Sequence, residues 1–282
     1  MKLTQHSKVA DVLLEQVVVT FEGAPDQRLR EILVAAVKHL HAFAREVSLS
    51  GEERSAAVAF LTAVGQKCSD SRQEFELLSD VLGLSSLVET STTGPGATLQ
   101  TLTGPFYSEN APWRELGDSM NEWPLPQDVT AMVRGVVKDR DGNPIKDATV
   151  DVWQNATNRK YAVQEPGIQP EGNLRGRWLT DEQGRYEFVT VKPVSYAIPD
   201  DGPVGDLLKS SNRHPWRAAH IHFLVTADGY RPLTTEIFDT DSGYLDDDAV
   251  FGVANDLIIE FKPQDDGIVA GEFDFTLEPA RA

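Results

Sequence analysis

The chain has 282 residues with an ordinary globular composition, enough for one large or two medium domains with a full core. Its formal net charge of −18 opposes nucleic acid and anionic membranes, which are bound through counterion-releasing Lys and Arg, so a small-molecule substrate or a protein partner is expected. No apolar run approaches the roughly 20 residues of a membrane span, the amino terminus carries acids where a signal peptide needs its apolar stretch, and the lone Cys68 excludes an internal disulfide; a cytoplasmic setting is expected.

A helix is predicted over residues 5–20. From Asp26 to Val47 the apolar residues Leu29, Ile32, Leu33, Ala36, Val37, Leu40, Ala44 and Val47 recur at three and four, the mark of an amphipathic helix. Ser50 followed by Glu53 reads as a capping box for the next helix, which carries Ala56, Ala57, Phe60, Leu61 and Val64. A further helix opens at Ser69 or Asp70 and places Phe75, Leu78, Val81 and Leu82 on one stripe. The sequence ETSTTGPGATLQ, residues 89–100, reads as a loop and divides the chain into a helical part, residues 1–100, and a remainder, residues 101–282.

Beyond that loop the period changes to two. AMVRGVVKD and TVDVWQN flank an Asp-Gly turn at 141 and 142, RWLT and RYEFVTV flank DEQG, and RAAHIHFLVT, LTTEIFD, DLIIEF and IVAGEFDFTL add further strands. With no helix expected between them, these strands predict a mainly antiparallel β-sandwich, and the whole chain an α+β fold. Asp246, Asp247 and Asp248 read as a solvated loop, since the 12-residue calcium-loop pattern is absent.

Within RAAHIHF, His220 and His222 occupy alternate strand positions, so both rings face one way, about 7 Å apart at the backbone. Ala219, Ile221, Phe223 and Val225 around them are apolar, which places the strand in the interior. Buried imidazole needs partners for its nitrogens. A metal ion, ordinary core hydrogen bonds, or a pH-dependent or catalytic role all fit this spacing. His214 lies in a Pro-flanked loop and reads as a surface residue; His6, His39 and His41 belong to the helical part. Cys68 reads as a structural or surface thiol.

LTGPFY at 102–107, TVDVWQNATNRKY at 149–161, NLRGRWLTDEQGRYEF at 173–188, VKPVSYAIPDDGPVG at 191–205 and HPWRAAHIHF at 214–223 together resemble the intradiol ring-cleaving dioxygenases. The SYAIPDDGPVGDLL and IFDTDSGYLDDDAVFGV stretches look most like family members acting on hydroxyquinol rather than those devoted to plain catechol or protocatechuate, with cleavage of catechol or a chlorocatechol as the alternative. The resemblance implies one ferric ion per subunit, held by Tyr161, Tyr196, His220 and His222. It implies a small aromatic diol or triol and dioxygen as substrates, with ring opening between adjacent hydroxyls to 3-hydroxy-cis,cis-muconate, the enol of maleylacetate. Tyr196 is the implied displaceable ligand that takes a substrate proton, and Arg217 the cation aimed at the ring. Leu77, Asp80, Leu102, Gly104, Pro105, Phe106, Ile198, Pro199 and Val250 are the implied pocket wall, with Asp80 accepting from the third hydroxyl.

Each assignment has a plainer counterpart. Arg217 alone reads as a strand-end salt bridge, and Asp80 as a solvent-facing cap. Where catechol-type members carry a glutamine, this chain reads LTTEIFD, which leaves the role of Glu236 open. The family resemblance also implies a homodimer formed through the helical part, with a phospholipid in an apolar tunnel there. Against the enzyme stands a non-catalytic, prealbumin-like sandwich module, which GVVKDRDGNPIKDATVDVW followed by LTDEQGRYEF also resembles; in it the two tyrosines and two histidines would share no target.

Overall fold

The computed structural model describes residues 3–69, 72–264 and 267–280. Asp70, one of two expected helix starts, and the side chain of His6 lie outside the described residues. The chain forms two compact units, residues 1–63 and 64–282.

In the first unit, α1 (Leu3–Glu22) and α2 (Gln27–Glu46) pack against each other and are tied by Arg45 to Asp11 at 2.5 Å. Asp26 caps α2 by accepting from the Leu29 amide at 2.8 Å. α3 (Gly51–Lys67) opens on the expected capping box: Ser50 Oγ accepts from the Glu53 amide at 3.2 Å and Glu53 Oε2 from the Ser50 amide at 2.8 Å. His39 and His41 lie on α2. No described helix is long and apolar enough to cross a membrane.

The second unit takes in the end of α3 from Val64 and continues with two shorter helices, α4 (Glu74–Val81) and α5 (Leu84–Thr92). Two sequence expectations shift here. The helix expected from Ser69 starts at Glu74, because Ser69 and Arg72 instead close a bridge, Ser69 N donating to Arg72 O at 2.8 Å. The segment 89–100 is helical as far as Thr92, where Ser91 and Thr92 hydroxyls bond back to carbonyls three residues upstream and so tolerate helix.

Two five-stranded sheets follow. One is built around β1 (Thr130–Lys138), which pairs with β4 (Arg185–Val191), β11 (Val269–Glu272) and β12 (Phe275–Thr276), with β10 (Lys262–Pro263) beyond β11. The other runs in the order β3 (Arg175–Leu179), β2 (Thr149–Trp153), β7 (His220–Thr226), β8 (Leu233–Asp239), β9 (Ile258–Ile259). Pairing is mostly antiparallel, with β1 parallel to β11 and β12, and β8 parallel to β9. β5 (Tyr196–Ala197) and β6 (Trp216–Arg217) form a separate short ribbon. Val133, Val150, Trp178, Phe188, Phe223 and Phe275 fill the core.

The expectation of a sandwich without intervening helices needs correction, since α6 (Pro203–Ser210) stands between β5 and β6. Pro203 at its first turn is pre-set for helix, and Val204 and Leu208 bury one face. The single strand expected over IVAGEFDFTL is two, broken at Phe273 and Asp274. There the Phe273 carbonyl, accepting from Tyr186 OH at 2.7 Å, comes so close to β1 that a Cβ on Gly135 would lie 1.7 Å from its oxygen. Gly135→Ala is therefore expected to lower stability by about 1–3 kcal/mol through forced backbone movement, read by denaturant unfolding; an unchanged midpoint would contradict this close approach.

Candidate functional site

Alternation along β7 sends Ile221, Phe223 and Val225 into the sandwich core, leaving His220 and His222 on the opposite face, where they are also fully buried. Cross-strand register then aligns a row. Trp153 of β2 stands beside His222, and Glu236 of β8 on its other side, while His220 faces Phe238. The Trp153 and His222 rings stack at 4.9 Å and 3°. His220 Nδ1 donates to the Ala218 carbonyl at 2.6 Å, which fixes the tautomer and leaves Nε2 an acceptor, 3.2 Å from His222 Nε2 and 3.2 Å from the Arg217 Nη1 donor. Burial and then the nearby Arg217 charge hold both imidazoles well below their usual range, so both rings are neutral at pH 7 and able to donate to a cation.

Two tyrosines close over them. Tyr161 ends the loop after β2, just before a short 3-10 turn at Ala162–Gln164, and Tyr196 sits on β5 opposite Arg217. Their rings are 5.4 Å apart; Tyr161 is 6.3 Å from the His222 ring and Tyr196 5.6 Å from that of His220. Phe106 stacks on Tyr161 at 4.6 Å. The Tyr161 hydroxyl is buried without a hydrogen-bond partner of good geometry. Burial raises both phenols above their usual range, and the charge of Arg217 opposes the rise.

Arg217, 2% exposed, is held between two buried acids. Its Nη1 and Nη2 donate to Glu236 Oε1 and Oε2 at 2.7 and 3.2 Å, its Nε to Asp248 Oδ1 at 3.3 Å, and Nη1 lies 3.2 Å from His220 Nε2. Burial works against its charge, but Asp248 and Glu236 outweigh it and keep the guanidinium ionised. Burial raises Glu236, with Arg217 opposing. The reading of residues 246–248 as uniformly solvated is corrected: Asp246 and Asp247 are exposed, but Asp248 is 3% exposed. It turns inward because its carboxylate accepts from the Ala218 and Gly252 amides as well as from Arg217.

His220, His222 and Glu236 present donor atoms within 4.8 Å of one another. Both Glu236 oxygens are engaged by Arg217 in a bidentate pair, so the donors left for an ion are the tyrosine hydroxyls and the two Nε2 atoms, of which that of His220 also lies 3.2 Å from Arg217 Nη1. That set fits a cation.

The expected pocket residues lie nearby. A cavity of about 350 Å³ is lined by Asp80, Leu102, Gly104 and Pro105, together with Glu76, Ser85 and Glu89. A smaller one of about 50 Å³ brings Leu77 and Asp80 of α4 together with Pro105, Phe106 and Pro199. Gly104 has φ +68 and approaches His222, where a Cβ would lie 3.4 Å from the ring. Ile198 and Val250 are buried but line neither cavity; the Val250 carbonyl accepts from Ser86. His214 stands apart from this group, its Nε2 3.0 Å from Asp247. Cys68 is half-buried and donates to the Val64 carbonyl. Sequence reasoning missed Trp153 and Asp248; the β2–β7 register places the first, and the apolar AVF after the DDD run was the available sign of the second.

A sandwich carrying paired buried tyrosines and histidines and a locked arginine, with cavities nearby lined by the expected pocket residues, defines an enzyme of the dioxygenase class. Residues 102–279 match the family described as Dioxygenase, and residues 26–95 match Catechol dioxygenase N terminus. The chain belongs to the intradiol ring-cleavage dioxygenase family. It is 42% identical to hydroxyquinol 1,2-dioxygenase of Rhizobium sp., over 93% of this chain and 88% of that protein. It is 43% identical to 6-chlorohydroxyquinol 1,2-dioxygenase of Cupriavidus pinatubonensis, over 95% and 96%. The solved structure of hydroxyquinol 1,2-dioxygenase from Pseudomonas putida superposes with a TM-score of 0.90 at 42% identity, covering 97% of this chain and 100% of that one. The non-catalytic sandwich module is thereby set aside.

Proposed function

We propose that the protein cleaves hydroxyquinol between its adjacent hydroxyls with dioxygen, at one ferric ion per subunit held by Tyr161, Tyr196, His220 and His222. The observation that carries this is the convergence of four buried side chains, one of them the Tyr161 hydroxyl without a good partner. Charge supports a cation among these groups: Arg217 pairs with Glu236 and Asp248, and two phenols ionised in so buried a setting would be costly unless a highly charged ion lay against them. Two hard phenolate donors favour the ferric state, and the ion would supply Lewis acidity that binds adjacent ring oxygens and opens the ring carbon to dioxygen.

The chain's own residues do the rest. Tyr196 takes a proton from the entering substrate, and Tyr161 stays in place. Arg217 sets a fixed positive charge where electron density builds. Phe106 and Trp153 pack against Tyr161 and His222 and exclude water. Asp80, which burial raises above the usual carboxylate range despite Ser85, accepts from the third ring hydroxyl. The larger cavity carries the acids Glu76, Asp80 and Glu89 and no cationic lining residue, which suits an uncharged triol better than a carboxylated ring. Similarity to hydroxyquinol and chlorohydroxyquinol enzymes points the same way. We assign it a cytoplasmic setting, with residues 1–100 as the dimerisation part. α2 carries an apolar stripe, yet Leu29, Ile32, Leu40 and Phe43 are exposed, a face that a second copy and a phospholipid would cover. Sedimentation and lipid extraction with mass spectrometry test this; a monomer free of lipid contradicts it.

The test of function is ferric reconstitution followed by visible spectroscopy and oxygen uptake. A coloured protein consuming one dioxygen per hydroxyquinol is expected; colourless protein, or uptake without ring opening, contradicts the proposal. Asp80→Ala is expected to narrow the kcat/KM preference for hydroxyquinol over catechol by about 10-fold, the worth of one charge-assisted hydrogen bond. Equal preference in the two proteins would remove Asp80 from recognition.

A further inference from the structure

Arg217 has five N–H donors and a long flexible stem, so a guanidinium at a useful angle needs more than one anchor. Glu236 supplies one, in a bidentate pair from strand β8. The second comes from outside the sheets. Asp248 Oδ1 accepts from Arg217 Nε at 3.3 Å and from the Ala218 amide at 3.0 Å, while Oδ2 accepts from the Gly252 amide at 2.9 Å. One carboxylate thus joins the guanidinium, the backbone just before β7, and the loop that carries Val250. The loop is shaped for this contact. Phe251 is held at φ +58, a region costly for an aromatic residue, and a Cβ on Gly252 would lie 2.7 Å from Arg217 Nη2.

We propose that Asp248 is a positioning residue for Arg217. Its carboxylate sets the tilt of the guanidinium beside His220, and Gly252 leaves the room in which that tilt is reached. Because the same carboxylate accepts from the Gly252 amide, the cation and the 248–252 loop are held by one group. Nothing in this role requires Asp248 to touch substrate or metal. It rests on the reading of Arg217 as the cation facing the ring.

The experiment compares Asp248→Asn, Asp248→Ala and Gly252→Ala with the unaltered holoenzyme. All three are expected to keep full iron content and the visible absorption, since no ligand is altered. Asp248→Asn and Gly252→Ala are each expected to lower kcat about 10- to 100-fold, the cost of misplacing a reacting group by roughly 1 Å, with KM changed far less. Asp248→Ala is expected to lose at least as much. Loss of iron or colour, or unaltered kcat in both Asp248→Asn and Gly252→Ala, would overturn the proposal. A second measurement does not depend on Arg217's chemistry. In Arg217→Ala, guanidinium ion at non-denaturing concentration is expected to raise Tm and restore part of kcat, and Arg217→Ala/Asp248→Asn, which keeps only the Glu236 anchor, is expected to show a clearly smaller Tm rise and no restored kcat. If Arg217→Ala retains full kcat, the reading of Arg217 fails. The Tm rise and its reduction in the double variant would still show the anchor, and an equal rise in both would remove it.

Discussion

Tyr161→Phe is expected to abolish ring cleavage and to weaken and shift the visible absorption, Tyr196 remaining as the one phenolate, while leaving the metal-free protein as stable as before or slightly more so. Loss of a group that merely orients a metal ligand costs about 10- to 100-fold, so loss of an anionic ligand must cost more than about 100-fold in kcat/KM. Stability moves differently because the Tyr161 hydroxyl is buried with no good hydrogen-bond partner. Removing a buried polar atom that makes no bond relieves its desolvation rather than breaking a contact, and phenylalanine keeps the stack on Phe106 at 4.6 Å. The metal-free variant should therefore match or exceed the parent by about 1 kcal/mol in denaturant unfolding. Iron-loaded parent should then be the more stable of the two loaded forms, because only it gains the full binding energy. A variant whose absorption band is unchanged in position and strength would show that Tyr161 is not a ligand. A metal-free variant that is much less stable would show that its hydroxyl holds the fold.

The sites visible in the sequence were those whose geometry is local. The capping box at Ser50 and Glu53 is set by neighbours on one chain segment, and it forms as written. His220 and His222 share a face because a strand has a period of two, which needs no knowledge of its partners. Glu236 shows in the sequence as an acid inside an apolar strand, but that it faces His222 and grips Arg217 follows only from the register between β7 and β8. Tyr161 and Tyr196 come from two loops, one after β2 and one in the short ribbon with β6, so spacing carries no sign that they meet; resemblance to a family suggested the set. Asp248 was hidden by Asp246 and Asp247, whose exposure is the ordinary fate of an acidic run, whereas its burial depends on Arg217 arriving from another segment. α6 was hidden for a different reason. Asp-Asp-Gly-Pro reads as a turn, and only the Val204 and Leu208 face, together with Glu74 accepting from the Val204 amide at the helix start, shows that the chain continues as helix.

Arg217→Met should produce the largest combined loss, and its two components can be separated. The guanidinium is the common partner of Glu236 and Asp248, both at 3% exposure or less, so methionine leaves two acids buried without a counter-charge. Breaking a buried pair in this way costs about 3–5 kcal/mol, measurable as a lowered unfolding midpoint of the metal-free protein. Cleavage should fall about 100- to 1,000-fold, the usual cost of removing one fixed stabilising group from a reacting centre. The triple variant Arg217→Met/Glu236→Gln/Asp248→Asn removes the stranded charges, and most of the lost stability should return because the three groups are coupled rather than additive. Activity should not return, since no cation faces the ring. If stability and activity recover together, the arginine serves the fold alone and the electrostatic role assigned to it is wrong. If neither recovers, the two acids are needed for more than holding Arg217, and Glu236, with Oε1 3.3 Å from His222 Nδ1, becomes the group to test against the metal directly.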